Sequence, residues 1–359
     1  MKPNDRDVDR REFVKTTAVA AFGFAATGKS STPLFVPASS PAEKVVVAVC
    51  GVNSRGLVHA QNFSQLPNSE VAYICDVDAN VVAKAVKAAT GKQKEPKVIS
   101  DFRRALDDKA VDAISIATPD HWHAPMALMA MKAGKHVYVE KPSGHDPHED
   151  ELLIEAAKKY NVRVQLGAQR RSGPRFFEAI QAIKEGAIGK PYLARTWYAN
   201  TRVGIGKGKS APVPSNLDYA LWQGPAPKTE YRDNIIHYNW HWFKNWGTGE
   251  ICNNGTHEID VARWFLGVDY PTSVVSNGGR FHFDDDWQFP DTQEATWEFE
   301  GGKMIIWHGQ SCNGAKMYGR SRGTAILGTA GSMIIDQDGY VILDLKDKVM
   351  KESAVAQKG

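Results

Sequence analysis

From residue 44 onward the apolar residues alternate between short unbroken runs and helix-spaced stretches. Residues 44–50 (KVVVAVC) are apolar after the first, the pattern of a strand covered on both faces. A helical pattern follows through Leu66. Residues 71–75 (VAYIC) predict a second strand and 79–89 a second helix. Residues 98–100 make a short strand, and Asp101 is placed to cap a helix through Leu106. Residues 113–117 (AISIA) form the next strand. Residues 126–131 are rich in Ala, Leu and Met, good helix formers, and Gly134 stands where a helix C-cap glycine belongs. A β-rich run at 136–139, a helix at 147–160 and a strand at 163–166 complete a doubly wound parallel sheet by residue 168.

The second half has another rhythm. Residues 192–200 form a long β-rich run, and 201–214 are rich in Gly, Lys and Pro and read as a loop. Residues 237–246 (HYNWHWFKNW) are dense in aromatic and histidine side chains. They suit a carbohydrate pocket, with Trp240 and His241 as substrate contacts, or equally an aromatic-rich core loop. Residues 253–260 open a helix running to Leu266. Runs at 274–276, 294–299, 304–308, 325–327, 333–335 and 341–343 are hairpin-spaced, with glycine turns such as 300–302, as in an antiparallel sheet. The fold class is therefore α/β: a Rossmann-type parallel sheet, then an α+β domain with a large, mainly antiparallel sheet.

A length of 359 residues suits two domains of about 150 residues each. The formal net charge of +3 is mixed along the chain and gives no electrostatic case for nucleic acid. Cys50, Cys75, Cys252 and Cys312 have no zinc-type spacing, and the first two fall in apolar runs as buried thiols. The histidines at 121, 123, 145 and 148 have no second cluster at ligand spacing, so no metal is expected. Arg10-Arg11, with Phe13 and Lys15, precedes a mostly apolar stretch over 16–27 and a polar linker over 28–41. The pattern resembles a twin-arginine export signal, and its apolar run falls short of the roughly 20 residues of a membrane anchor. Residues 1–41 then read as signal and linker, 42–168 as the nucleotide domain and 169–359 as the substrate and oligomerisation domain, with an exported, periplasmic destination.

Gly51-Val52-Asn53-Ser54-Arg55-Gly56 lies between the first strand and its helix, the position of a dinucleotide fingerprint. Asn53 takes the place of the middle glycine, and asparagine tolerates left-handed angles better than most residues. Arg55 at the helix start is a candidate phosphate contact. Asp76 ends the second strand, where a carboxylate binds the adenosine ribose. Asp76 and Asp78 would repel a 2′-phosphate, which favours NAD over NADP. Two further strand ends deliver polar residues, Thr118-Pro119-Asp120-His121 with His123, and Glu140-Lys141.

Thr118-Pro119-x-x-x-His123-Ala124-Pro125, Ala133-Gly134-Lys135-His136-Val137, Glu140-Lys141-Pro142 and Glu185-Gly186-Ala187-Ile188-Gly189-Lys190-Pro191 resemble the Gfo/Idh/MocA oxidoreductases. The resemblance runs over roughly residues 44–345. It implies that the second sheet packs over the cofactor and serves in homo-oligomerisation. It makes Lys141 the proton-transfer residue and His257 a second acid/base or hydroxyl ligand. It puts Thr118, Pro119, His121, His123, Glu140 and Gln169 near cofactor, and Arg170 near substrate. Asn253 stands where the family often has an aspartate, so its role is hydrogen bonding to substrate. Family members usually continue past the polar ending after Leu345, so the C-terminus reads as shortened.

NAD is not expected to be free outside the cytoplasm, and folded export would carry it bound. Three activities follow from this reading. The protein oxidises a CH–OH group of a sugar, glycoside or cyclitol with tightly held NAD. Alternatively it cleaves a glycoside through a transient 3-keto sugar, or it binds NAD without catalysis.

Overall fold

The computed structural model describes residues 44–91 and 93–353. The export pattern at residues 10–15 lies outside them. Within this body the first half runs β1 (Val45–Cys50), α1 (Arg55–Gln65), β2 (Ser69–Cys75), α2 (Ala79–Thr90), β3 (Lys97–Ile99), α3 (Arg103–Asp107), β4 (Ala113–Ile116), α4 (His123–Lys132), β5 (His136–Glu140), α5 (Pro147–Lys159) and β6 (Val164–Gly167). The strands pair in parallel in the order β3-β2-β1-β4-β5-β6. The unbroken apolar run of β1 has its reason in the two layers around it. Ala48 and Cys50 join the core on one face with Ile114, Ile116 and Met126, whereas Val47 and Val49 join Ala60, Ile74 and Ala85 on the other. α5 starts as its sequence dictates: Asp146 accepts from the Glu149 N–H at 3.0 Å and Pro147 occupies the first turn.

The second half carries α6 (Pro174–Lys184), β7 (Pro191–Thr201), α7 (Tyr219–Gln223), α8 (Thr256–Leu266) and strands β8 (Ser273–Gly279), β9 (Thr292–Phe299), β10 (Lys303–Gln310), β11 (Cys312–Asn313), β12 (Arg322–Gly328), β13 (Ser332–Ile335), β14 (Tyr340–Leu343) and β15 (Val349–Glu352). Eight strands run in the order β15-β14-β13-β12-β7-β10-β9-β8, and β11 pairs with β7. One expectation needs refinement. β10 lies parallel to β7, so the sheet is mixed, because β7 reaches its neighbour by a long crossover rather than a hairpin. β15 was not legible in the polar ending, since its four residues are exposed on both faces. α6 and α8 cover one face of the sheet, burying Phe176, Ile180, Val261 and Phe265 against Ile305 and Ile326. A widened turn, Ile251–Gly255, leads into α8, and Gly267 ends it in the left-handed conformation at φ 61°.

Candidate active site

A cavity of about 370 Å³ opens where the carboxyl ends of β1 and β4 diverge, the switch point of the sheet. Its floor is the glycine turn. Gly51 has φ +77°, and a Cβ there would stand 2.6 Å from Ala117 O and Thr118 N. A Cβ on Gly56 would meet Gly51 O at 1.9 Å. The two glycines thus press the turn against β4, and Asn53, Ser54 and Arg55 form the rim. The left-handed angle falls on Gly51, and Asn53 takes none. At the start of α1 the Ser54 side chain makes no capping bond among the described residues, and such a terminus receives anions. Asp76 lines the far end, its oxygens accepting from Val52 N at 2.7 Å and Asp78 N at 3.0 Å. Burial raises its pKa and these two bonds oppose the rise. Each oxygen keeps a lone pair for a ribose hydroxyl.

The ends of β4 and β5 supply the other wall. Glu140 is buried and accepts from Arg55 Nε at 3.0 Å, His59 Nε2 at 2.9 Å and Gln169 Nε2 at 2.8 Å. Burial would raise its pKa, but these bonds hold the carboxyl down at about 2. Arg55 is therefore turned toward Glu140. His123 ties the two loops together, its ring nitrogens 2.8 Å from Thr118 O and 2.5 Å from Pro142 O. Next to this rivet, Lys141 Nζ donates to Asn253 O at 2.5 Å and Asn253 Oδ1 at 3.2 Å. Desolvation lowers the Lys141 pKa, while Asp120, Glu140 and Glu250 oppose the fall. Asn253 Nδ2 lies 3.4 Å from Glu250, which is also bound by Arg202 Nε at 2.6 Å.

His257, in the first turn of α8, faces the same space. Desolvation, then Lys141, Arg170 and Arg322, lower its pKa to about 3, so it is a neutral hydrogen-bonding group. The aromatic stretch divides between the cavity and the core. His237, Tyr238, Trp240 and His241 line the cavity, with the Trp240 and His241 rings stacked 3.6 Å apart. Phe243 and Trp246 pack in a core instead, and Trp242 stacks on Trp287 at 3.8 Å.

The cavity thus brings together Gly51, Asn53, Ser54, Arg55, Asp76, Thr118, Pro119, His123, Glu140, Lys141, Gln169, Trp240, His241, Asn253 and His257. Three residues fall elsewhere. Gly56 acts through packing beneath the turn. His121 does not line the cavity: in the tight turn Asp120–Trp122 its neighbours face the cavity and its own buried ring turns away into the protein, with Nε2 2.9 Å from Trp222 O. Arg170 also lies behind the wall, drawn 2.7 Å from the fully buried Glu258. Among the residues not singled out as site groups, Asp120 has the clearest place. It is buried, accepts from Thr248 Oγ1 at 2.6 Å, and its other oxygen has no partner among the described residues. Its position at a strand end was the available signal. His59 and His237 gave none, because their partners Glu140 and Asp78 lie 81 and 159 positions away. No three metal-ligating side chains converge among the described residues.

These residues fit a dinucleotide. The glycine turn has no room for a side chain, the Ser54 side chain makes no cap at the α1 terminus, and Thr118 Oγ1 is buried in the wall without a partner, both among the described residues. A dinucleotide seat running up to an enclosed lysine and a neutral histidine is the arrangement of a nicotinamide-dependent oxidoreductase.

Comparison with known proteins makes the class specific. Residues 45–168 match the oxidoreductase-family NAD-binding Rossmann fold, and residues 191–342 match the C-terminal alpha/beta domain of the same family. The chain belongs to the Gfo/Idh/MocA family and is an NAD-dependent oxidoreductase of that type. It is 26% identical over 314 residues to the uncharacterized oxidoreductase YrbE of Bacillus subtilis, covering 86% of this chain and 80% of that one. It is 31% identical over 170 residues to the alpha-N-acetylgalactosaminidase of Shewanella oneidensis, but this spans 46% of this chain and 36% of that protein. A levoglucosan dehydrogenase, solved with NADH and levoglucosan, shares the fold at TM-score 0.65 and 21% identity, over 86% of this chain and 79% of that one.

Proposed function

We propose that this protein oxidises a secondary hydroxyl of a sugar, glycoside or cyclitol, with NAD retained in the cavity and Lys141 taking the hydroxyl proton. The observation that carries this is the Lys141 ammonium, fixed by Asn253, desolvated and opening onto the same cavity as the glycine turn. When bound, the nicotinamide supplies the hydride acceptor. Lys141 acts as base once its ammonium has lost a proton, and its lowered pKa makes that form more available near neutral pH. His257 is neutral and holds a neighbouring hydroxyl. The carboxylate of Asp120 and the face of Trp240 suit a polyol, hydrogen-bonding along its edge and packing on its C–H face. NAD is favoured over NADP because Asp76 opposes a 2′-phosphate. The export pattern at residues 10–15 supports a cofactor carried in the folded protein to the periplasm. In the same reading copies of the chain associate through the second sheet, whose edge strand β8 exposes Val274 and Val275.

The likeness to the alpha-N-acetylgalactosaminidase favours a second reading, redox-neutral glycoside cleavage. Hydride leaves C3 while the O3 proton passes to a base, giving a 3-keto sugar. The acidified C2–H is then lost and the C1–O electron pair departs with the aglycone. Water adds across C1=C2, hydride returns to C3, and the base gives its proton back to O3. A glycoside and cyclitol panel, assayed for keto products and for released aglycone, separates the two. K141M should lower either activity by about 10²-fold or more, the range of general-base catalysis. Unchanged turnover in K141M would remove Lys141 from the reaction.

A further inference from the structure

Two segments of the second half are sewn onto the turn that follows β2. Asp218 N donates to Val77 O at 2.9 Å, and Ala79 N donates to Asn216 O at 2.9 Å. Asn216 Nδ2 donates to Asp78 Oδ1 at 2.6 Å, and His237 Nε2 lies 2.7 Å from Asp78 Oδ2. The turn stands at the adenosine end of the cavity, where Asp76, Val77, Ser100 and Phe102 form the wall. Leu221, Trp222 and His237 line that same end from the second half. The segment at 216–218 is tied by backbone bonds. By contrast, the hydrogen-bond tie from residue 237 to this turn is one side-chain contact, with His237 about one-third exposed and Asp78 nearly buried. Asp78 itself does not line the cavity.

We propose that the His237–Asp78 pair is a latch that retains the dinucleotide by holding the segment around residue 237 over the adenosine end. The proposal rests on the retained-NAD reading and names the residues responsible for it. With the latch closed, the adenosine end cannot leave between Asp76 and His237. Opening it breaks one imidazole–carboxylate hydrogen bond and loosens Ile236 from the apolar cluster it shares with Leu217 and Val77, and it leaves the backbone ties at 216–218 in place. Asp78 also caps α2 by accepting from Asn80 N at 2.8 Å, and a serine there keeps an oxygen for that cap.

The test is nucleotide release, followed apart from turnover. Full-length protein loaded with radiolabelled NAD is chased with excess unlabelled NAD, and the bound label is counted after rapid desalting. Wild type should release slowly. H237A should release about tenfold faster or more, the scale of a hydrogen bond to a charged group. D78S should also accelerate release, and this outcome separates a latch from direct contact, because Asp78 does not face the nucleotide. Fast release by H237A with wild-type release by D78S, whose hydroxyl still caps α2 but stops short of His237, would overturn the latch. So would wild-type release by both. H237Q, which keeps a donor at similar reach, should release at an intermediate rate, and it carries the test if thermal melts show that H237A has lost its fold. Wild type that exchanges NAD within the mixing time would overturn retention itself, whereas a retaining wild type with unaffected variants would overturn the latch alone.

Discussion

Replacing Glu140 by glutamine removes one charge and almost no volume, so its effect isolates what that charge holds. Glu140 receives hydrogen bonds from three side chains on two separate elements: Arg55 and His59 on α1, and Gln169 after β6. Its pKa falls from an ordinary 4.5 to about 2 against the opposing effect of burial. At about 1.4 kcal/mol per pH unit this corresponds to about 3 kcal/mol. Arg55 is 43% exposed, so its share is screened by solvent, and about 2–3 kcal/mol is the expected loss in E140Q at pH 7. The sign follows from the direction of the shift. A depressed carboxylate stabilises fully above its unfolded pKa, and that contribution fades as pH falls from 4.5 toward 2. The gap between wild type and E140Q should therefore narrow to about 1 kcal/mol at pH 3. Urea titrations followed by tryptophan fluorescence at pH 7 and pH 3 measure both values. Equal stabilities at pH 7, or a gap that widens on acidification, would refute the reasoning.

Two further outcomes follow from the site. G51A places a Cβ 2.6 Å from backbone atoms of β4's loop at φ +77°, so the turn must shift, and NAD affinity measured by fluorescence titration should fall at least about tenfold, the equivalent of 1.4 kcal/mol. The rate of alcohol oxidation should rise with pH as Lys141 loses its proton, with a midpoint below the ordinary lysine value of about 10.4. His257, already neutral above about pH 3, should add no inflection between pH 5 and 8. An inflection there that H257Q removes would contradict its neutral role.

The site was legible where a strand end meets a loop. The 51–56 turn, Asp76, Thr118, Glu140 and Lys141 all sit at carboxyl ends of parallel strands, and a strand's position in the sequence is enough to put its end at the cavity. Orientation within those loops was not legible. His121 and Asp120 are adjacent, and a single tight turn decides that Asp120 faces the cavity while His121 backs onto Trp222. Arg170 follows Gln169 directly, yet the fully buried Glu258 claims it as a counter-ion.

By itself the sequence determined most of the strands and helices that build the two sheets, which strands are covered on both faces, and where the chain can make a turn too tight for any residue but glycine; it did not show α6, α7, β11 or β15. These are local properties, set by periods of 2.0 and 3.6 residues and by the absence of a Cβ. Tertiary structure alone decided that β10 runs parallel to β7, that His59 and Gln169 rather than a ligand occupy Glu140, and that His237 reaches Asp78. Each of these joins residues far apart in the chain. A side chain's partner then depends on how distant segments are placed against each other, which no periodicity within either segment encodes.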